Sequence, residues 1–172
     1  MNQLELQTQY IHNAGLVLLN PFLATVFTKV EYLSGGNFIN HEEQIRAAQL
    51  LQYLIDGETV HTDTNLALNK LLCGLSNSET IPDSYLITEQ EKEITNSCLH
   101  AILQQWDKLK NTSIDGFRES FLKRDAVLTK TKDGYHLKIE QRGYDLLLQT
   151  LPWSFGMIKF NWMNEIVYVE WI

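Results

Sequence analysis

The longest apolar run in the sequence, residues 12–33, constrains the fold more than any other feature. Its apolar side chains recur at alternating steps of three and four, which places them on one stripe of an α-helix: Leu16, Leu19, Leu23, Val26, Val30 and Leu33. Asn20-Pro21 interrupts the run and two charged residues end it, so we expect no membrane insertion. Proline has no N–H to donate, and we therefore predict that Asn20 caps a new helix with Pro21 in its first position.

The composition is that of a globular protein, with 44% apolar residues in 172. The formal net charge of -7 disfavours a surface that neutralises nucleic-acid phosphates. Cys73 and Cys98 lie within apolar helical patterns without the spacing of metal ligands, which indicates reduced core residues. The first nine residues lack the charged and apolar regions of a signal peptide.

Helix start and stop signals predict further helices between Asn40 and residue 151. Asn40 with Glu43 predicts the start of a helix that runs to Asp56, where Gly57 supplies a left-handed stop. A short third helix, capped by Asp63 or Thr64, should end near Gly74. Further helices are predicted from Thr88 to about Lys110, from Ser113 to about Arg124, and over 144–151.

The last third changes to the alternation that is typical of strands. Val127 to Thr131 and Tyr135 to Ile139 alternate around Asp133-Gly134, which predicts a β-hairpin with a type I′ turn. Ile158 to Trp162 and Val167 to Trp171 predict a second hairpin that shares a sheet with the first.

The fold class predicted from this order is α+β, a mainly helical body of about five to six helices with one or two C-terminal β-hairpins that form a small antiparallel sheet. We expect a flexible lead over 1–10 and then a single compact domain over 11–172. Two subdomains, 11–75 and 88–172, joined by a loop at 76–87, are the alternative organisation.

Residues with catalytic or metal-binding chemistry are sparse. His61 and Asp63 form a pair without a third ligand at metal-site spacing, and Cys98 and His100 point to different sides of a helix. The glycine-rich and nucleophile motifs of nucleotide-binding proteins and hydrolases are absent. We therefore predict no catalytic residue, no metal and no cofactor.

A nucleic-acid-binding module is one alternative that the sequence leaves open. The hairpin over 130–138 is locally basic and follows Arg118, Lys123 and Arg124, as in a winged-helix protein. That function requires these side chains to share one exposed face. An enzyme of unknown kind is the other alternative, and it requires a concave pocket with convergent polar groups.

Several segments together resemble one family. They are NAGLVLLNPFL (Asn13 to Leu23), QLLQYLIDGE (Gln49 to Glu58), LNKLLCGL (Leu68 to Leu75), NTSIDGFRESFLKR (Asn111 to Arg124), and LPWSFGMIKFNWM (Leu151 to Met163) followed by VYVEW (Val167 to Trp171). In this order they are similar to the C-terminal region of tape measure proteins of contractile injection systems, which are phage-tail-like particles of bacteria.

The resemblance implies a structural role in assembly and in setting the length of the inner tube. It implies contacts with the inner tube and with baseplate, spike or cap proteins, as a homo-oligomer, without nucleic acid. The protein would be cytoplasmic during assembly and would lie in the lumen or at the end of the tube in the particle. Because the family's proteins are longer, we expect a fragment that lacks the preceding ruler region. The candidate interface residues are Asn13, Leu16, Leu19, Pro21, Phe22 and Leu23.

Overall fold

The computed structural model describes residues 7–58, 66–83 and 87–171 of the chain. Its α-helices are α1 (Asn20–Lys29), α2 (His41–Asp56), α3 (Ala67–Leu72), α4 (Glu89–Gln105) and α5 (Ile114–Phe117). Three 3-10 segments cover Ala14–Leu19, Asp107–Leu109 and Gly143–Thr150, and a π-helical turn covers Arg118–Leu122. The strands are β1 (Thr8–Ile11), β2 (Leu33–Ser34), β3 (Asn37–Phe38), β4 (Ala126–Thr131), β5 (Gly134–Ile139), β6 (Met157–Ile158) and β7 (Val167–Glu170).

The apolar run changes helix type at the predicted break. A 3-10 segment ends at Leu19 and helix α1 follows, with Pro21 in its first turn. The Asn20 side chain does not cap α1, however, because its amide donates to the backbone carbonyls of Val17 (2.8 Å) and Ser154 (3.0 Å). Asn20 therefore ties the break to the C-terminal part of the chain.

Helices α2 and α4 begin where their capping residues are. The Asn40 side chain accepts a hydrogen bond from the Glu43 N–H, and helix α2 ends at Asp56, where Gly57 follows with φ 73°. Thr88 likewise accepts from the N–H of Glu91. Helix α4 ends at Gln105, five residues before the predicted end, because Trp106 leaves the helical conformation with ψ 95°. Asp63 and Thr64, the predicted caps of the third helix, lie outside the described residues.

The prediction of a small antiparallel sheet is wrong, although the α+β class is right. The sheet has five strands in the order β1-β4-β5-β7-β6, and a separate two-stranded sheet joins β2 to β3. Strand β1 lies within and just after the predicted flexible lead, and it pairs antiparallel with β4. Strand β7 pairs parallel with β5, so the large sheet is mixed.

Two features of the second predicted hairpin explain the difference. Only Met157 and Ile158 pair antiparallel with β7, while Phe160 and Trp162 lie in the loop beyond them. The segment between β5 and β7 contains the 3-10 helix over 143–150. It returns the chain to the edge of the sheet at which β5 begins, so that β7 runs parallel to β5. A parallel pair requires such a crossover connection, and the alternation of side chains does not reveal it.

The first predicted hairpin forms with a different turn. Thr131 pairs with Gly134, so the two-residue loop is Lys132-Asp133 rather than Asp133-Gly134. A type I′ turn needs positive φ at both loop residues. Glu31 is the one non-glycine residue with positive φ in the described part of the chain, so this turn is of another type.

One hydrophobic cluster joins the helices to the sheet and extends from Ile11 to Trp171. The tryptophan side chains link distant segments through their indole N–H groups. Trp153 donates to the Leu18 carbonyl and Trp162 to the Leu72 carbonyl, both at 2.8 Å. These bonds connect the C-terminal segment to the first 75 residues.

Candidate interaction surface

The predicted interface residues occupy two different environments. Asn13, Leu16, Leu19 and Leu23 are buried inside the chain itself, with 7% exposure for Asn13 and at most 1% for the leucines. Pro21 is exposed, and Phe22 is half-buried with its ring 4.9 Å from that of Trp153. The apolar stripe is thus covered by the protein's own core. Pro21 and Phe22 are the members of the set that offer surface, and their contact with a partner stays a prediction.

Asn13 belongs to a buried amide cluster that joins three segments. Its side-chain amide donates to Asn69 (2.7 Å) on α3 and to Gln52 (2.9 Å) on α2. Asn69 in turn donates to the backbone carbonyl of Ala48. Since unpaired amides are costly to bury, this cluster fixes the first 3-10 segment against α2 and α3.

Arg124 and Asp145 form a buried ion pair that the sequence analysis missed. The guanidinium binds both carboxylate oxygens, at 2.6 and 2.8 Å, and Arg124 is fully buried. The indole of Trp171 and the backbone N–H of Arg142 also donate to the carboxylate. The pair therefore connects the segment that follows the π-helical turn, the last 3-10 segment and the residue that follows β7. The sequence offered one signal for this ion pair, an acidic residue, Asp145, directly before three leucines at 146–148.

The burial of Arg118 and Arg124 disfavours the winged-helix alternative, which requires their side chains on an exposed face. Arg118 donates to the backbone carbonyls of Leu54 and Tyr53, and Arg124 is bound to Asp145. Neither guanidinium lies on the exposed face that phosphate binding requires. Lys123 and Lys130 are paired with Glu119 and Glu165, respectively. The basic stretch is therefore largely used in contacts within the chain.

A polar cavity of about 320 Å³ lies between the end of α1, α2 and the start of α4. Glu91, which is buried in the first turn of α4, accepts hydrogen bonds from Tyr32 (2.8 Å) and Arg46 (2.5 Å). Burial and the hydrogen bond to Glu91 raise the pKa of the Tyr32 hydroxyl, which stays neutral at physiological pH. The buried acid is thus bound to side chains of its own chain.

Metal sites can be judged for the described residues alone. In that part of the chain, no three His, Cys, Asp or Glu side chains lie close enough together to hold a metal ion. His61 and Asp63, which we considered as a ligand pair, lie outside it. Cys73 and Cys98 are both buried and unpaired with each other, and burial raises the pKa of each thiol.

One side of the large sheet faces away from the helices and carries an accessible set of side chains. Strand register places them in two rows that cross the sheet. We call this set the outer sheet face: Thr8, Thr129, His136, Tyr168 and Met157 in one row, and Tyr10, Val127, Lys138 and Glu170 in the other. The rings of His136 and Tyr168 stack with centroids 5.1 Å apart, which confirms that both point to this side.

The outer sheet face includes two of the most exposed large apolar side chains of the described residues. Tyr10 is 74% exposed on β1 and Met157 is 64% exposed on β6, near the two margins of the sheet. Beside Tyr10, a mainly apolar hollow of about 330 Å³ is lined by Ile11, Val127 and Ile139. Tyr10 and Met157 lie on opposite edge strands, so they are single exposed apolar side chains rather than one continuous patch.

Comparison with known families decides the class of this protein. The family described as contractile injection system tape measure protein matches residues 2–171. The chain belongs to this family. The match confirms the resemblance carried by the five segments and makes this a domain of an injection-particle component. No significant match was found among curated proteins or among solved structures.

The tape measure domain has no helix, among its described residues, that is both long and apolar enough to cross a membrane. Its accessible features include the outer sheet face and the short surface at Pro21 and Phe22. Both are open surfaces rather than enclosed pockets.

Proposed function

We propose that this domain acts through protein contacts in the assembly of a contractile injection particle and takes part in setting the length of its inner tube. The observation that carries the proposal is the family match over residues 2–171. The fold is compatible with it, because a buried amide cluster and a buried ion pair join distant segments and leave accessible surfaces outside them. No catalytic step is part of the proposed role.

The proposed partners are the inner tube and the proteins of the baseplate, the spike or the cap. We propose that several copies act together, in the cytoplasm during assembly and then in the lumen or at an end of the tube. A tube built from repeated subunits presents equivalent sites, which a symmetric set of copies would match better than a single copy.

Deletion of residues 11–171 in a cell that produces the particle tests the proposal. Electron microscopy would measure the length and the number of tubes, and an antibody to a remaining segment or an added tag would measure incorporation. We expect few particles or tubes of altered length. Tubes of normal length and number that contain the shortened protein would show that the domain is dispensable.

A point variant separates loss of contact from loss of the domain. Pro21→Glu introduces a charge on the accessible side of the candidate interface, whereas Gly143→Ala adds a methyl group that meets no atom within 4 Å. We expect the first variant to reduce incorporation and the second to leave it unchanged. Equal incorporation of both would exclude the surface at Pro21 and Phe22 from assembly.

A further inference from the structure

We propose that a groove between helices α1 and α4 binds an apolar helical segment of a partner protein, which places a carboxylate against Lys29. We call this site the α1–α4 groove. Its sides are formed by Phe22, Thr25 and Lys29 of α1 and by Ser97, Ala101 and Gln105 of α4. The inference rests on the protein contacts proposed above, and it names the chemistry of the partner that meets the surface at Pro21 and Phe22.

The α1–α4 groove follows both helices for about two turns. Helices α1 and α4 pack against each other, and the lining residues recur at steps of three and four on each helix. From Phe22 to Lys29 the helix advances about 10 Å, and from Ser97 to Gln105 about 12 Å. A groove of this length, with a volume of about 210 Å³, matches the side chains that a third helix presents over two turns.

The floor of the α1–α4 groove is apolar and its rims are small. Val26 and Ile102 line the floor and are 1% and 3% exposed. Thr25, Ser97 and Ala101 are exposed, and none of them has a long side chain that would keep a third helix away. Because the distance between packed helices depends on the side chains at the contact, small rims allow a helix to lie close to this floor.

Lys29 is the one charged residue among those that line the groove. Its side chain is exposed, and within the described residues it forms no ion pair. Burial raises the pKa of the Cys98 thiol on the groove floor, and the positive charge of Lys29 opposes this rise. Lys29 also borders the polar cavity described above, where Glu43 and Glu91 bind Arg46 instead. The amine is therefore available to a carboxylate from outside the chain.

The distribution of charge selects the chemistry of the partner. With a formal net charge of -7, the chain repels acidic groups over most of its surface. The α1–α4 groove differs, because its single charge is positive and lies at one end. An apolar helix with Asp or Glu at the matching end pairs with Lys29, whereas Lys or Arg there would place two cations together. The same net charge disfavours a second copy of this chain as the occupant.

Photo-crosslinking of the full chain, in a cell that produces the particle, tests the inference. The photoreactive residue p-benzoylphenylalanine replaces Thr28, an exposed residue beside Lys29, so that the groove itself stays open. The control site is Asp133, which is exposed in the loop between β4 and β5. Mass spectrometry identifies the cross-linked peptide. From Thr28 we expect a peptide of another particle protein, with apolar residues three or four apart and an Asp or Glu within one turn of them.

Charge reversal separates the ion pair from general proximity. Lys29→Glu should lower the cross-linking yield from Thr28 about fivefold or more, while Lys29→Arg should keep it. Lys132→Glu makes the same change of charge in the loop between β4 and β5, and it should leave the yield unchanged. Replacement of the identified acid of the partner by lysine should restore the yield with Lys29→Glu. A domain that had lost its fold would not be rescued by that exchange.

Three results would overturn the inference. They are a yield from Thr28 no higher than that from Asp133, a cross-linked peptide that lacks a carboxylate or belongs to a second copy of the chain, and a yield that Lys29→Glu leaves unchanged. Failure of the proposed assembly role appears differently, as normal tubes after deletion of the domain, so that the two failures are distinguishable.

Discussion

The guanidinium of Arg124 joins four segments of the chain, and Asp145 is the buried carboxylate that balances its charge. Besides Asp145, it donates to the backbone carbonyls of Ser120 (2.7 Å) and Glu140 (3.0 Å). Its centre also lies 5.1 Å from the ring of Trp171. Removing the carboxylate would leave a buried cation surrounded by dipoles and rings but without an opposite charge.

Asp145→Asn should lower the free energy of unfolding by about 3–5 kcal/mol at pH 7, the usual cost of breaking a buried ion pair. Burial alone would raise the pKa of Asp145, but hydrogen bonds from Arg124 and the Arg142 N–H bring it below its ordinary value. The ionised group thus stabilises the fold above about pH 4 and loses this effect as pH falls through the folded-state pKa. Urea unfolding should show the two proteins converging in acid; a constant difference would contradict this.

Glu31 holds a backbone conformation that usually belongs to glycine. With φ 65°, it follows helix α1, where the Glu31 N–H donates to the Thr28 carbonyl and the Tyr32 N–H to the Phe27 carbonyl. This is the Schellman pattern, whose left-handed residue is most often glycine. We expect Glu31→Gly to be more stable than Glu31→Ala by about 1 kcal/mol, as measured by urea unfolding. Equal stability of the two variants would show that the conformation carries no cost.

At the scale of elements, the first 3-10 segment and the π-helical turn approach more closely than any side chain would permit. A methyl group on Gly15 would lie 2.1 Å from the Phe121 carbonyl oxygen and 2.3 Å from the Leu122 Cα. Both are backbone atoms, which cannot rotate away. Gly15 is therefore required by packing between elements, and its φ is not in the left-handed region.

Gly15→Ala should destabilise the protein by about 1–3 kcal/mol or more, because the two elements must move apart. Gly143→Ala is the matched control, since an added methyl group there meets nothing within 4 Å. Thermal unfolding of both variants measures the effect. A Gly15→Ala protein as stable as the control would mean that the two elements separate without loss.

The elements that could be predicted from the sequence are those with local signals. Helix α2 begins after Asn40 and ends before Gly57 as predicted, because capping and a left-handed stop depend on neighbouring residues alone. Strand β1 was not predicted, because it is short and pairs with residues far away in the chain. Strand β7 was predicted from its alternation, but its parallel pairing with β5 depends on distant residues and was missed. The outer sheet face combines residues 8 to 170, so that only the register of five strands reveals it.

At the scale of the whole molecule, the two segments of the alternative organisation, 11–75 and 88–172, contribute side chains to one hydrophobic cluster. The hydrophobic cluster includes side chains from both, and Trp153 and Trp162 donate to carbonyls of the first segment. Such mutual burial favours a single cooperative unit, in which loss of packing in one segment destabilises the other.

Leu19→Ala tests this cooperativity, because Leu19 is buried in the first segment and all four tryptophans lie in the second. The cavity should cost about 2–5 kcal/mol, and each kcal/mol should lower the Tm by about 2–4 °C in a chain of this size. In a cooperative unit, tryptophan fluorescence and far-ultraviolet circular dichroism shift together by the same amount. The reading is made in a Trp153→Phe/Trp162→Phe background, because the remaining Trp106 and Trp171 have their hydrogen-bond partners within the second segment. If the segments unfolded independently, this fluorescence transition would keep its midpoint while part of the helical signal was lost at lower temperature.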